Sequence, residues 1–205
     1  MRRATGAALA PAPPMSAPRA SFNGKDLSRP IVMIGMMGAG KSAIGRRVAQ
    51  RLGLPFVDAD AEIERAAGCT IEEIFEKHGE AVFRDGERRV IARLLEGPVG
   101  VLATGGGAFM DPETRARIRG RAITVWLKAD LDTLIERVSR RTHRPLLKNS
   151  DPRDVLTRLM AQRNPIYAEA DITVETGNSP TAATVERVIE ALAEFRPRAA
   201  AERSA

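Results

Sequence analysis

"IVMIGMMGAGKSAIG", Ile31 to Gly45, is the stretch on which the reading of the chain turns. Four apolar residues, Ile31–Ile34, read as a buried strand. Glycines at 35, 38 and 40 interrupt it, Lys41 and Ser42 follow, and a helix opens at Lys41 with apolar residues at 44, 48, 49 and 52. Gly35 to Ser42 satisfies G-x-x-x-x-G-K-[ST] at every position. The glycines let a loop turn tightly and aim several backbone N–H groups at one anion. The helix adds its positive N-terminal end. Lys41 can reach β- and γ-phosphates, and the Ser42 hydroxyl can ligate Mg²⁺. The loop therefore predicts a bound nucleoside triphosphate. Alone it does not separate a kinase from an ATPase, a GTPase or a DNA translocase.

Working outward, strand and helix patterns alternate. "LPFVDAD" reads as a second strand ending in Asp58 and Asp60, followed by a helix over Ala61–Ala67. Thr70 and Glu73 form a capping box at the start of "TIEEIFEKHGE", and a long amphipathic helix spans Glu80–Leu95. "VGVLATGGG" reads as the third strand, "AITVWL" as the fourth and "ADITVET" as the fifth. Helices are expected over "DPETRARI", Leu131–Ser139, Pro152–Arg163 and Pro180–Phe195, with "RRTHRPLLK" a basic loop. This alternation predicts an α/β three-layer sandwich with a five-stranded parallel sheet, of P-loop NTPase type. Ligands in such sheets sit beyond the carboxyl ends of the strands. The 35–42 loop, Asp58, Asp60 and Gly105–Gly107 all fall there.

The chain has 205 residues, 43% apolar and 28% charged, enough for one domain with a substantial core. No apolar run approaches the ~18 residues of a membrane span. The single cysteine, Cys69, excludes an internal disulfide, suits a reducing compartment and reads as a small apolar filler. His78 and His143 have no metal spacing and read as surface residues. A pI near 10.2 invites a nucleic-acid reading, but the excess charge lies in the tails. Residues 1–30 hold five Lys or Arg and one Asp, residues 196–205 three Arg and one Glu, and the remainder 24 of each sign. The expected organisation is a disordered N-terminal extension over 1–28, a kinase domain over 29–196 with a lid at about 140–150, and a disordered tail over 197–205. The Ala/Pro-rich extension overlaps organelle transit peptides in composition, but reads as a bacterial-type extension or the product of an upstream start codon, with Met15 an alternative start.

Candidate acceptor-side residues follow. Two carboxylates at one strand end share a face at i and i+2 and can divide metal binding from proton transfer. The alternative for Asp60 is a cap of the helix at Ala61. Arg84 in "VFRDGE", Arg144 in "THRPLL" and Arg163 before "NPIYAEAD" suit a carboxylate or a transferring phosphoryl group. "ATGGGAF" strips side chains from a strand end, where a ligand can approach the backbone.

"GMMGAGKS", "DAD", "FRDGE", "TGGG", "RPLL" and "RNPIYAEAD" together resemble shikimate kinase, in that family's order and over residues 30–195. The resemblance implies ATP-dependent phosphorylation of the 3-hydroxyl of shikimate, with ATP and Mg²⁺ as cofactors. It implies nucleotide contacts from Gly38, Ala39, Gly40, Lys41, Ser42 and Ala43. Ser42 and Asp58 would serve Mg²⁺. Asp60 would be the base and touch the shikimate hydroxyls, with Lys41 and Arg144 catalytic beside it. Arg84 and Arg163 would bind the shikimate carboxylate, with Glu87 orienting Arg84. Gly105, Gly106 and Gly107 would line the acceptor site, Gly106 donating an N–H. Arg144 would reach the phosphates from the lid, and Arg141 would stack on adenine. The expected protein is a cytoplasmic monomer with no nucleic-acid or membrane partner. The rival kinase reading is another small-molecule P-loop kinase, for gluconate or a nucleoside monophosphate. The rival from a different class is a nucleic-acid-stimulated NTPase, against which the neutral core counts.

Overall fold

β1 (Ile31–Ile34) is buried at all four positions. Successive strand side chains point to opposite faces, so this requires a sheet covered on both sides. The computed structural model describes residues 22–139, 151–177 and 179–195. In it β1 lies between β3 (Val101–Ala103) and β4 (Ile123–Lys128), with β2 (Phe56–Asp58) and β5 (Ile172–Glu175) at the edges. All four pairings are parallel, and Val32 stands opposite both Leu102 and Thr124. The order β2-β3-β1-β4-β5 brings the ends of β1, β2 and β3 side by side.

Helices supply the crossovers that parallel strands need. α1 (Lys41–Leu52) buries Ile44, Val48, Ala49 and Leu52, the stripe expected from the sequence. α7 (Thr181–Glu194) packs along α1 and against β5. α4 (Pro112–Arg121) packs on β4, and α5 (Leu131–Ser139) against α6 (Pro152–Tyr167). The main core runs through Ile31, Val48, Leu127, Leu134 and Leu156, each at most marginally accessible to water. Burying a side chain of this kind stabilises the fold by about 1.5–3 kcal/mol. A second, smaller cluster of Ile63, Ile74, Phe83 and Val90 joins α2 (Ala59–Ala67) to α3 (Ile71–Leu94), with Cys69 packed against it. Among the described residues no helix is long and apolar enough to cross a membrane.

Two boundaries differ from those read in the sequence: the start of α2 and the end of α6. α2 starts at Ala59 because Asp58, not Asp60, is its cap: Asp58 Oδ1 accepts from the Asp60 N–H at 3.1 Å. The span of α3 is two helical stretches that meet at Gly79, whose φ 79, ψ 173 is not helical, in agreement with the two patterns read in the sequence. α6 runs past Arg163 to Tyr167 despite Pro165. That proline is exposed and lies in the last turn, where the lost N–H removes only one terminal helical hydrogen bond. Near the start of the described residues, Asn23 and Asp26 form a capping box around the 3-10 turn Gly24–Asp26, while Phe22 and Leu27 pack on the core.

Candidate active site

The glycine loop has the backbone its sequence demands. Gly38 and Gly40 take φ of 83° and 95°, a region that other residues rarely enter. Gly40 is the α1 N-cap and contributes no side chain to it, so the first N–H groups of α1 face the loop. Lys41 Nζ donates to the carbonyls of Gly35 and Met36, both at 2.9 Å. Two residues brace the loop from behind: Thr176 Oγ1 donates to Ala39 O at 3.4 Å, and Arg137 to Gly177 O at 2.9 Å and more weakly to Gly38 O at 3.5 Å. The loop opens onto a cavity of about 440 Å³. Its lining includes Met37, Gly38, Gly40, Lys41, Ser42 and Ala43 of the loop, Asp58, Asp60 and Thr104–Gly106 on the acceptor side, and Arg137, Thr176, Ser179, Thr181 and Thr184.

Asp58 joins the loop to the acceptor side. While one oxygen caps α2, the other accepts from Ser42 Oγ at 2.5 Å. A hydroxyl and a carboxylate in contact at a phosphate loop are hard oxygen ligands that fit Mg²⁺, which completes its shell with phosphate oxygens and water. Among the described residues no group of three or more His, Cys, Asp or Glu could hold a metal, so a protein-only metal cage is not the pattern here.

Beyond Asp58 the residues converge on Gly105–Gly107, which follow β3. A Cβ on Gly105 would lie 2.8 Å from Asp60 Oδ1 and 3.0 Å from Glu87 Oε1. A Cβ on Gly107 would lie 2.6 Å from Arg84 Nη1. Arg163 Nη1 donates to Gly106 O at 3.1 Å. None of the three glycines has a positive φ. They form a shelf: the Asp60 and Glu87 carboxylates crowd Gly105 and the Arg84 guanidinium crowds Gly107, while Gly106 meets Met37 and Arg163 at ordinary contact distance. Gly106 also abuts the glycine loop, its would-be Cβ 3.4 Å from Met37 N.

The stretch of α3 after Gly79 places Arg84 and Glu87 on the shelf. Glu87 is only 3% exposed, and Arg84 Nη1 donates to it at 2.7 Å. Burial pushes the Glu87 carboxyl above its ordinary range, with Arg84 opposing in part. Burial also disfavours the Arg84 charge, but Glu87 and then Glu80 more than offset this and raise its pKa. Asp58, Asp60, Arg84, Arg163, the three glycines and the loop residues thus lie together, as the sequence led us to expect, with Ala39 just behind the loop. Arg141, Arg144, His143 and the rest of 140–150 lie outside the described residues. His78 is exposed. Among the cavity and shelf residues the sequence reading missed are Arg137, Thr176 and Tyr167, whose hydroxyl donates to Gly106 O. Thr176 directly follows β5, so the strand-end rule could have flagged it. No local signal marks Arg137.

A parallel sheet in this order, with a glycine loop on β1 and a polar acceptor shelf beside it, defines a P-loop kinase of the small-molecule class. The family model described as shikimate kinase matches residues 37–193. The chain is 61% identical over 165 residues to the shikimate kinase of Bradyrhizobium diazoefficiens, covering 80% of each. To that of Paramagnetospirillum magneticum it is 60% identical over 166 residues, 81% of this chain and 85% of the relative. The solved shikimate kinase of Acinetobacter baumannii, in complex with shikimate, superposes with a TM-score of 0.79 at 37% identity, over 83% of this chain and 96% of that one. The chain belongs to the shikimate kinase family, enzymes that use ATP as substrate.

Proposed function

We propose that this chain transfers the γ-phosphoryl group of ATP to the 3-hydroxyl of shikimate, releasing shikimate 3-phosphate and ADP on the way to chorismate and the aromatic amino acids. The observation that carries this reading is the shelf, where Asp60, Glu87, Arg84 and Arg163 converge on Gly105–Gly107 at the edge of the phosphate-loop cavity. Shikimate is an anionic polyol. It needs guanidiniums for its carboxylate and an acceptor for the proton of its reacting hydroxyl.

Arg163 and Arg84 hold the carboxylate, with Glu87 fixing the Arg84 fork. Asp60 accepts the hydroxyl proton as the new P–O bond forms and the bond to the ADP oxygen breaks. Backbone N–H groups of the 38–43 loop hold the phosphates, and Lys41 meets the γ-phosphoryl charge as it spreads in transfer. Ser42 and Asp58 would hold Mg²⁺, which when bound would neutralise phosphate charge. Arg144 would act on the transferring phosphoryl group and Arg141 on adenine; both lie outside the described residues. The protein acts on free metabolites in the cytoplasm as a monomer, without nucleic-acid or membrane partners; the neutral charge of residues 31–195 supports the first exclusion.

The deciding measurement is coupled ADP release with shikimate, with gluconate, with nucleoside monophosphates and with no acceptor. ADP release dependent on shikimate alone is the expected result. Equal rates with gluconate, or rates indifferent to any acceptor, would move the rival kinases or an NTPase to the front.

A further inference from the structure

The carbonyl of Gly106 accepts two hydrogen bonds, and one comes from a residue outside the machinery described above. Tyr167, in the last turn of α6, donates its hydroxyl to this oxygen, and Arg163, one turn earlier, donates Nη1 to it at 3.1 Å. Tyr167 is 1% exposed, its ring centroid 5.9 Å from that of Trp126 on β4. Burial, only partly opposed by Arg163, pushes its phenol up to about 12, so the hydroxyl stays a donor at any working pH.

Two donors pin the Gly106–Gly107 peptide toward α6. In a trans peptide the N–H points opposite to the C=O, so the Gly107 N–H is aimed away from α6. The same peptide separates the two arginines. A Cβ on Gly106 would lie 3.5 Å from Arg163 Nη1, and one on Gly107 2.6 Å from Arg84 Nη1. Where this peptide sits sets how far apart the guanidiniums stand.

We propose that Tyr167 is a positioning residue of the acceptor site: its hydroxyl fixes the Gly106–Gly107 peptide, and through it the spacing of Arg84 and Arg163, so the pair meets the acceptor carboxylate already placed. This rests on the shikimate reading above. Pre-placing a binding pair lowers the ordering cost of association. The interaction is made in ground and transition states alike, so its loss belongs in KM rather than kcat.

Tyr167→Phe keeps the ring packing and removes only the hydroxyl. The KM for shikimate should rise about tenfold, the effect of one lost hydrogen bond. The KM for ATP and the kcat should stay within about twofold. In an Arg163→Ala background the same change should cost much less, because both side chains act through one carbonyl. Equal rises in both KM values, or an unchanged KM for shikimate, overturn the proposal. Tyr167 is the only tyrosine in the chain. Tyrosine labelled with ¹³C at Cζ therefore gives one NMR signal in the unmutated protein, even if the variant does not fold. That signal should shift on adding shikimate and stay put on adding ADP; a signal indifferent to saturating shikimate overturns the proposal. A parent enzyme without shikimate-dependent ADP release overturns both readings. Shikimate-dependent release with unresponsive Tyr167 measurements overturns this one alone.

Discussion

On the proposed mechanism, replacing Lys41 by alanine removes a charge that would follow the γ-phosphoryl group into the transition state. The turnover rate should fall by ~10²-fold or more, at least about 2.7 kcal/mol of barrier stabilisation, read as steady-state kcat. The arginines should divide differently. If Arg163 grips the acceptor throughout the reaction, as proposed, Arg163→Ala should chiefly raise the KM for shikimate, and Arg163→Lys should not restore it because lysine lacks the planar fork. Arg144→Ala should chiefly lower kcat. Identical kinetic signatures for Arg163→Ala and Arg144→Ala would sink the division of roles.

Glu87 makes a pH prediction at the same scale. Its carboxylate holds Arg84, and its pKa is raised above the ordinary 4.5. As pH falls, the proton arrives earlier than on a normal glutamate and releases Arg84. The KM for shikimate should therefore begin to rise at a pH above 4.5. In Glu87→Gln it should be high throughout, with this acid limb flattened. Stability has the opposite sign. The folded state binds the Glu87 proton more tightly than the unfolded state, so this group's contribution is fully present below the unfolded pKa and is lost as pH rises through the folded one. Titrating KM and thermal unfolding together separates the two effects.

At the scale of the element, the kink in α3 decides whether the acceptor site forms. The capping box of Thr70 and Glu73 starts the helix, and Gly79 turns it so that the next stretch delivers Arg84 and Glu87 to the shelf. Gly79 occupies φ 79, ψ 173, a region essentially reserved for glycine. A Cβ there meets nothing within 4 Å, so the cost of Gly79→Ala is backbone strain alone. The variant should lose about 1–3 kcal/mol, lowering Tm by roughly 2–4 °C per kcal/mol. If the helix relieves the strain by straightening, the KM for shikimate should rise while that for ATP does not. An unchanged Tm with unchanged kinetics would show that the kink is dispensable.

For the whole molecule, the excess positive charge lies outside the site. We propose a working domain that starts nearer Phe22 than residue 29, since Phe22 and Leu27 pack on the core and Gly24 sits against Leu52 O. Deleting 1–21 with 196–205 should leave the shikimate-dependent rate within a few-fold. Deleting 1–28 should also lower Tm, because it uncovers apolar surface. A tenfold loss of rate from the shorter deletion, in a chain that still folds, would mean the tails shape the site.

What the sequence determined alone is whatever its chemistry writes in adjacent residues. The phosphate loop is eight contiguous positions whose glycines, lysine and serine each have a local reason. The stripe at 44, 48, 49 and 52 and the Thr70–Glu73 box are legible for the same reason, since helical periodicity and capping act within a few residues. Asp58 and Asp60 were legible as a pair, but their division of labour depended on where the strand stops, and strand ends are set by pairing with β3. Tertiary structure alone decided the rest. No local residue encodes that β1 lies between β3 and β4, because parallel neighbours are chosen by how their crossover helices pack. Glu87 is a surface-type residue in the sequence and a buried carboxylate in the fold, its pKa raised because α3 presses it over Gly105. Tyr167 reaches Gly106 across 61 residues, and Arg137 reaches Gly38 across 99. Contacts of that span exist only after the sheet has assembled, which is why the phosphate loop can be read from the chain and the spacing of the acceptor arginines cannot.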